Sequence, residues 1–209
     1  AFGGVRQISS SIARVLEPLG EIRESLMYTP MKDLKRLFAH WRHRYVGGEQ
    51  LCDMLHCLRQ TLNEHGTLET CFIQDYQEKD ENILPALTGF VARLRAHSSL
   101  PGNYLLPSPA RGSACKRLNL FLRWMVRRDS VDPGIWARVD ASKLIIPLDT
   151  HMHRLGLMLR LTQRRQANMR TALEITRAFA EIVPDDPVRY DFTLTRLGMY
   201  GQTDLLRWD

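Results

Sequence analysis

The chain has 209 residues, of which 44% are apolar, a formal net charge of +6 and a pI of about 9.4. This length and apolar content suffice for one large core or two smaller lobes, and no apolar run approaches the roughly 20 residues of a membrane span. Most of the basic residues are arginines, and the forked guanidinium group of arginine pairs with phosphate. The net positive charge therefore modestly favours a polyanionic partner over a basic surface that is only solvated.

Helical periodicity dominates the first half of the chain. The predicted helices cover 5–17, 31–45, 49–64, a short stretch from about Thr67 to Ile73, and 82–96. Because the sequence begins at Ala1 without a methionine, already inside a predicted helix, we expect an N-terminal segment to be missing.

The second half begins with a stretch rich in proline, glycine and serine, residues 98–112, which excludes a long helix. Beyond it, Ser113 is expected to cap a strongly periodic helix, and Asp132-Pro133 to open a turn or short helix. The segment KLIIPLD then reads as extended. Further helices are predicted for about 150–161, 170–182 and 188–199, with the break VPDDP between the last two. Because no alternating pattern is long enough for a sheet, the predicted fold class is all-α.

Four cysteines, Cys52, Cys57, Cys71 and Cys115, do not form a C-x-x-C pair. Their spacing suits neither zinc nor an iron–sulfur cluster, so the sequence predicts reduced structural thiols and no metal or other cofactor. The expected location is a bacterial-type cytoplasm, in association with the nucleoid.

Lys116 is placed in the first turn of the helix that follows Ser113. The partial positive charge of a helix start, together with Arg117, favours the neutral amine that can act as a nucleophile. A solvated surface lysine is the alternative reading for this residue taken alone.

Asp149 follows an extended segment that contains Pro147, and is the natural N-cap of the helix that begins at Thr150. Backbone N–H groups would hold its carboxylate ionised and fixed in place. A simple helix cap is the alternative reading, and a functional reading requires a partner.

A family resemblance of the segment IIPLDTHMHRLG supplies that partner. This segment resembles the [VI]-P-[VL]-D-[VT]-H-[MIV]-x-R segment of the helix–hairpin–helix DNA glycosylase superfamily, which includes endonuclease III and the 8-oxoguanine glycosylases. The resemblance implies that Asp149 matches the essential aspartate of those enzymes and Lys116 the lysine of their bifunctional members. Their separation of 33 positions resembles the archaeal 8-oxoguanine glycosylase branch. It also resembles an uncharacterised bacterial family marked by GSACKRLNLFLRWMVR and YDFTLTRLG.

The resemblance implies a single two-lobed helical unit over residues 1–209 with a cleft between the lobes. Within it, 98–128 would be an atypical helix–hairpin–helix region and 144–161 the loop and helix of the essential aspartate. The implied activity is excision of a damaged base, such as an oxidised purine, from double-stranded DNA, with AP lyase chemistry through a lysine imine. Neither a membrane nor an iron–sulfur cluster is expected as a partner.

Two departures from the superfamily pattern stand out. The usual hairpin L-P-G-[VI]-G-x-K-T-A is replaced by LLPSPARGSACKRLN, in which the phosphate-binding glycines are reduced to Gly112. In addition, the residues after the last helix lack the four-cysteine cluster of endonuclease III.

DNA-contacting residues are expected around these two motifs. The predicted set is Arg111, Gly112, Ser113, Arg117, Arg123, His151 and Arg154. Asp191, by comparison, reads mainly as a helix cap, and Phe121, Trp124 and Met125 as core residues. A non-catalytic nucleic-acid-binding helical module that retains the fold remains the alternative function, and an all-α interaction protein is a third reading.

Overall fold

The computed structural model describes residues 3–100 and 102–199, with side chains as far as Arg196. Those residues form ten α-helices and a single two-stranded hairpin, which confirms the all-α prediction. Within these ranges no helix has the length and apolarity needed to cross a membrane. Two expectations concern residues outside these ranges: the lack of a cysteine cluster after the last helix, and the missing segment before Ala1.

The chain divides into two compact units. The first comprises the residues up to Cys71 together with Phe90–Pro107, and the second comprises Phe72–Gly89 and the residues from Ser108 onward. The glycosylase-like arrangement of two lobes around a cleft stays a prediction.

The first unit packs its helices around a continuous apolar core. Its elements are α1 (Val5–Leu19), α2 (Ile22–Tyr28), α3 (Met31–Leu37), β1 (Arg42–His43), β2 (Val46–Gly47), α4 (Gly48–His65), most of α5 (Leu68–Phe72) and the C-terminal part of α6 (Leu84–Ala96). The buried core residues are Leu19, Leu26, Leu34, Phe38, Leu51, Cys52 and Leu55. They recur at helical spacing because each helix turns one stripe toward the core.

The predicted helix over 31–45 is wrong beyond Leu37. The chain instead turns through an antiparallel hairpin in which Arg42 pairs with Gly47 and His43 with Val46. At the turn, Arg44 has a left-handed backbone, with φ of 55°. Gly48 explains why α4 starts there: a Cβ at this position would lie 1.8 Å from the carbonyl oxygen of Phe38, so only glycine allows α4 to begin against the end of α3.

The second unit carries both chemical motifs. Its helices are the N-terminal part of α6 (Leu84–Ala96), then α7 (Lys116–Val126), α8 (Thr150–Met158), α9 (Met169–Ile182) and α10 (Asp191–Met199). The extended residues Leu144–Ile146 are buried, and the Ile146 N–H donates to the Thr176 hydroxyl on α9 at 3.0 Å rather than to a strand. Gly156 lets α8 approach α9, since a Cβ there would meet the Ile175 side chain at 2.6 Å.

Several local predictions for this unit are confirmed, and others are wrong. Residues 102–112 contain only a 3₁₀ turn at Pro109–Arg111, and α9 begins at Met169 as expected. Asp132-Pro133 lies at a turn closed by an isolated bridge between Arg128 and Pro133, and no helix forms around Ile135-Trp136. In contrast, α10 begins at Asp191 instead of 188. Trp124 is exposed, not a core residue, because the hydrophobic face of α7 is turned away from it.

Candidate functional site

Lys116 is the first residue of α7. The expected Ser113 cap is wrong: the N-cap is Cys115, in the left-handed conformation, and the Ser113 hydroxyl accepts a long 3.4 Å hydrogen bond from the Cys115 N–H. The turn is held from inside the helix, because the buried Asn119 amide donates to the carbonyl of Ala114 at 3.0 Å. Sequence reasoning did not identify Asn119, since its role depends on where its side chain points.

Asp149 is the N-cap of α8, as predicted. Its Oδ1 accepts the backbone N–H of Met152 at 2.8 Å, the bond that a helix-capping aspartate is expected to make. The residues before Asp149 are buried and extended, so they fix the position of its carboxylate. The second carboxylate oxygen, Oδ2, is left for another partner.

That partner is Lys116. Its Nζ lies 2.9 Å from Asp149 Oδ2, and the two side chains retain exposures of 36% and 13%. The starts of two helices therefore place a primary amine within hydrogen-bonding distance of a fixed carboxylate, and both groups remain reachable from solvent. Such a pair can exchange a proton, and it can place a nucleophilic nitrogen next to a carboxylate that stabilises nearby positive charge.

A second, buried set of ion pairs lies further along α7. Arg123 donates to both oxygens of Asp132, with its Nε 3.0 Å from Oδ2 and its Nη2 3.0 Å from Oδ1. Arg127 also bonds Asp132 and reaches Asp186 at 2.9 Å. Asp132 is fully buried, and Arg123 is 3% exposed. We refer to Arg123, Arg127, Asp132, Asp186 and Asp191 as the buried arginine network.

Asp191 links this network to the amine–carboxylate pair. Its carboxylate accepts Arg123 Nη1 and, at 3.3 Å, the Thr195 hydroxyl. Burial raises the pKa of Asp191; the Arg123 charge and hydrogen bond oppose this, while the negative charge of Asp149 raises it further. The main role expected for Asp191, a helix cap, is therefore replaced by an ion pair.

The expectation that Arg123 faces DNA is not supported. All three of its donor nitrogens point to buried carboxylates, so the side chain is occupied within the second unit. The pattern of the sequence could not reveal this, because Arg123 follows Arg111, Lys116 and Arg117 in what reads as one basic run around the hairpin.

The other predicted DNA contacts lie nearer the surface. Arg111, Gly112 and Ser113 are exposed in the loop that precedes α7, and Gly112 has the left-handed backbone expected of a hairpin glycine, with φ of 76°. Arg154 is exposed on α8, whereas Arg117 and His151 are partly buried. Contact with DNA stays a prediction for all of them.

The cysteines do not compete with Lys116 as nucleophiles. All four are buried and none forms a disulfide, and burial raises the pKa of Cys52 and Cys115, and that of Cys57 to about 11. In the described residues, no cluster of histidine, cysteine and carboxylate side chains is arranged to hold a metal ion.

A cavity of about 820 Å³ lies elsewhere in the second unit. Its polar lining includes Tyr76, Arg138, Asp140 and Lys143, but neither Lys116 nor Asp149. The candidate site is therefore identified from the contact between Lys116 and Asp149 alone, and this cavity is not part of it.

Comparison with known proteins gives one match. A family model described as a protein of unknown function (DUF2400) matches residues 1–200. No curated protein and no solved structure matches the chain.

Proposed function

The chain belongs to the DUF2400 family of proteins of unknown function, and from its own residues we propose that it is a DNA glycosylase with AP lyase activity. The observation that carries the proposal is the 2.9 Å contact between Lys116 Nζ and Asp149 Oδ2 at the starts of α7 and α8. The substrate is a damaged base, such as an oxidised purine, in duplex DNA.

In the proposed reaction, Asp149 accepts a proton from Lys116, and the neutral amine attacks C1′ of a flipped-out nucleotide. The C1′–N bond to the base breaks, and the base leaves with the bonding electron pair and takes up the proton that Asp149 received from Lys116, which returns Asp149 to its ionised form. As the bond breaks, positive charge develops on the sugar, and the adjacent carboxylate stabilises it. The capping bond from Met152 keeps that carboxylate in place.

The C1′–O4′ bond of the sugar ring then breaks, a C1′=N double bond forms to Lys116 Nζ, and O4′ takes up the proton released from that nitrogen, which gives an open-chain imine. Removal of a proton from C2′ allows the C3′–O bond to break, which releases the 3′ phosphate by β-elimination. Hydrolysis of the imine by water returns the free lysine amine. No metal or redox partner is needed to balance these steps.

Borohydride trapping tests the proposal, because it reduces the imine and links protein to DNA. Duplexes that contain an abasic site or an oxidised purine are incubated with the wild-type protein and with Lys116→Gln, Asp149→Asn and Lys79→Gln. Lys79 is exposed in the same unit, so its variant is a matched control for loss of one lysine charge.

We expect Lys116→Gln to abolish trapping, Asp149→Asn to slow it by about 10²-fold or more, and Lys79→Gln to leave it unchanged. Undiminished trapping in Lys116→Gln would overturn the assignment of the nucleophile.

A non-catalytic nucleic-acid-binding module is the second candidate. It is favoured by the loop before α7, which retains only Gly112 of the phosphate-binding glycines in the superfamily hairpin. In such a module the Lys116–Asp149 contact would serve only to join two helix starts. Wild-type protein that binds duplex DNA but is trapped on none of the substrates would support this module.

A further inference from the structure

An arginine-rich stretch follows Asp149 and has no part in the proposed chemistry. Residues 150–173 contain no aspartate or glutamate. The arginines in this stretch are Arg154, Arg160, Arg164, Arg165 and Arg170. A second stretch without acidic residues, 82–128, includes Arg111 and Lys116, so both segments that meet at the start of α7 are rich in positive charge.

The loop between α8 and α9, residues 159–168, is held firmly at its α8 end. The Leu161 N–H donates to the Gly156 carbonyl at 2.8 Å, and a ring nitrogen of His153, Nε2, lies 2.7 Å from the Arg164 carbonyl oxygen. The Arg164 side chain is itself bound to Glu174 at 2.8 Å. Arg164 therefore has a structural role in this loop.

The other end of the loop is joined to the turn that leads into α7. The Met169 N–H donates to the Gly112 carbonyl at 2.9 Å, and Ser113 and Asn168 form an isolated antiparallel bridge. The loop is thus tied at one end to α8, the helix that Asp149 caps, and at the other to the residues just before Lys116. Any ligand that contacts the loop lies against the same scaffold as the amine–carboxylate pair.

Two arginines of the stretch occupy positions that are unfavourable for folding. Arg160 has a left-handed backbone with φ of 57°, a position where glycine is relaxed and other residues are strained. Arg170 lies in the first turn of α9, where the helix dipole disfavours a cation. Both side chains are exposed, as is that of Arg165. A polyanion bound at this surface would offset the unfavourable charge of Arg170, whereas Arg160 retains an exposed guanidinium despite its strained backbone.

We infer that Arg160, Arg165 and Arg170, together with Arg111 on the joined turn, form a surface that binds the phosphodiester backbone of duplex DNA. We call it the 160–170 arginine surface. The inference rests on the proposed function, because DNA is chosen as the polyanion on the ground that the surface is built onto the scaffold of the Lys116–Asp149 pair. Arginine is suited to this role since its fork binds phosphate oxygens through two hydrogen bonds.

Fluorescence anisotropy with a labelled undamaged duplex tests the surface separately from catalysis. Affinity is measured at several salt concentrations for the wild-type protein, Arg160→Gly, Arg165→Ala and Arg170→Glu. Arg23→Ala, at an exposed position of α2 in the other unit, is the matched control. Each lost phosphate contact is expected to reduce the slope of log affinity against log salt by about 0.9.

Thermal denaturation of the same proteins excludes misfolding as the cause. Arg160→Gly relieves a strained backbone and Arg170→Glu suits the helix start, so both variants should be at least as stable as the wild type. Weaker DNA binding together with equal or higher stability would support the surface. Unchanged affinity and salt slope in all three variants, or an equal loss in Arg23→Ala, would overturn it.

The two proposals fail in different ways. If borohydride traps the wild-type protein normally but the arginine variants bind DNA like the wild type, the surface is wrong and the glycosylase proposal stands. If no substrate is trapped but the arginine variants lose affinity, the surface stands and the catalytic proposal fails.

Discussion

Helix α7 carries two sets of ion pairs that differ in exposure. Lys116 and Arg123 are seven residues apart, or about two turns, so they lie on the same face of the helix. The Lys116 side chain is 36% exposed and binds one carboxylate oxygen, whereas Arg123 is 3% exposed and binds both Asp132 and Asp191. Lys116, at one end of this face, is thus accessible for chemistry, whereas Arg123, at the other end, is buried within the protein.

The energetic consequences of the two sets should differ accordingly. An ion pair that is open to water contributes about 0–1 kcal/mol, because solvation competes with it. Removing one partner from a buried pair leaves an uncompensated charge and costs about 3–5 kcal/mol. Loss of stability should therefore distinguish the buried arginine network from the Lys116–Asp149 pair.

The largest effect is expected for Asp132→Asn. This carboxylate is fully buried between Arg123 and Arg127, so the neutral amide would leave two guanidinium charges without their shared partner. We expect the free energy of unfolding to fall by about 3–5 kcal/mol, as measured by urea denaturation. Asp185→Asn, at an exposed position, removes the same charge and should be close to neutral; equal losses in the two variants would contradict the comparison.

Asp191→Asn should cost less, about 1–3 kcal/mol, because Arg123 keeps Asp132. It also tests a pH dependence. The pKa of Asp191 is raised on folding, so just above the ordinary aspartate value the folded protein retains a proton that the unfolded chain releases. The stability contribution of this group therefore falls as pH rises through the folded pKa.

Urea denaturation of the wild type and Asp191→Asn across the acidic and neutral range measures that contribution. The stability of the wild type relative to the variant should decrease as pH rises. A relative stability that instead increases with pH would show that the Arg123 charge outweighs burial.

Asn119→Ala tests whether the turn before Lys116 controls the exposed pair. The variant loses the 3.0 Å bond to the Ala114 carbonyl, but it also removes a buried Oδ1 that has no hydrogen-bond partner in the described residues. We expect a stability loss of about 1 kcal/mol and a lower rate of borohydride trapping. Unchanged trapping would show that the Cys115 turn holds Lys116 without this bond.

Lys116→Gln should have the smallest effect on stability. Its carboxylate partner keeps the Met152 capping bond, and the lysine is partly exposed, so the free energy of unfolding should change by less than about 1 kcal/mol. Urea denaturation measures it alongside the trapping assay. A loss as large as that of Asp132→Asn would mean that the pair is structural.

Much of the local structure could be predicted from the sequence. The helical periods located most of the helices, and the extended segment around Pro147 followed by Asp149 predicted the N-cap of α8. These features succeed because capping and periodicity depend on neighbours within a few residues. Ser113 fails as a cap although it has the right residue type, because the left-handed turn at Cys115 moves the helix start to Lys116.

The candidate site was predictable only in part, for the same physical reason. That Lys116 and Asp149 each begin a helix followed from the sequence alone, through local capping and the resemblance of two motifs. That their side chains meet at 2.9 Å, that Arg123 is buried between Asp132 and Asp191, and that the 159–168 loop is joined to Gly112 were decided by the tertiary structure. Contacts between segments distant in sequence depend on how helices pack and which side chains are excluded from water, and no local pattern of residues encodes that packing.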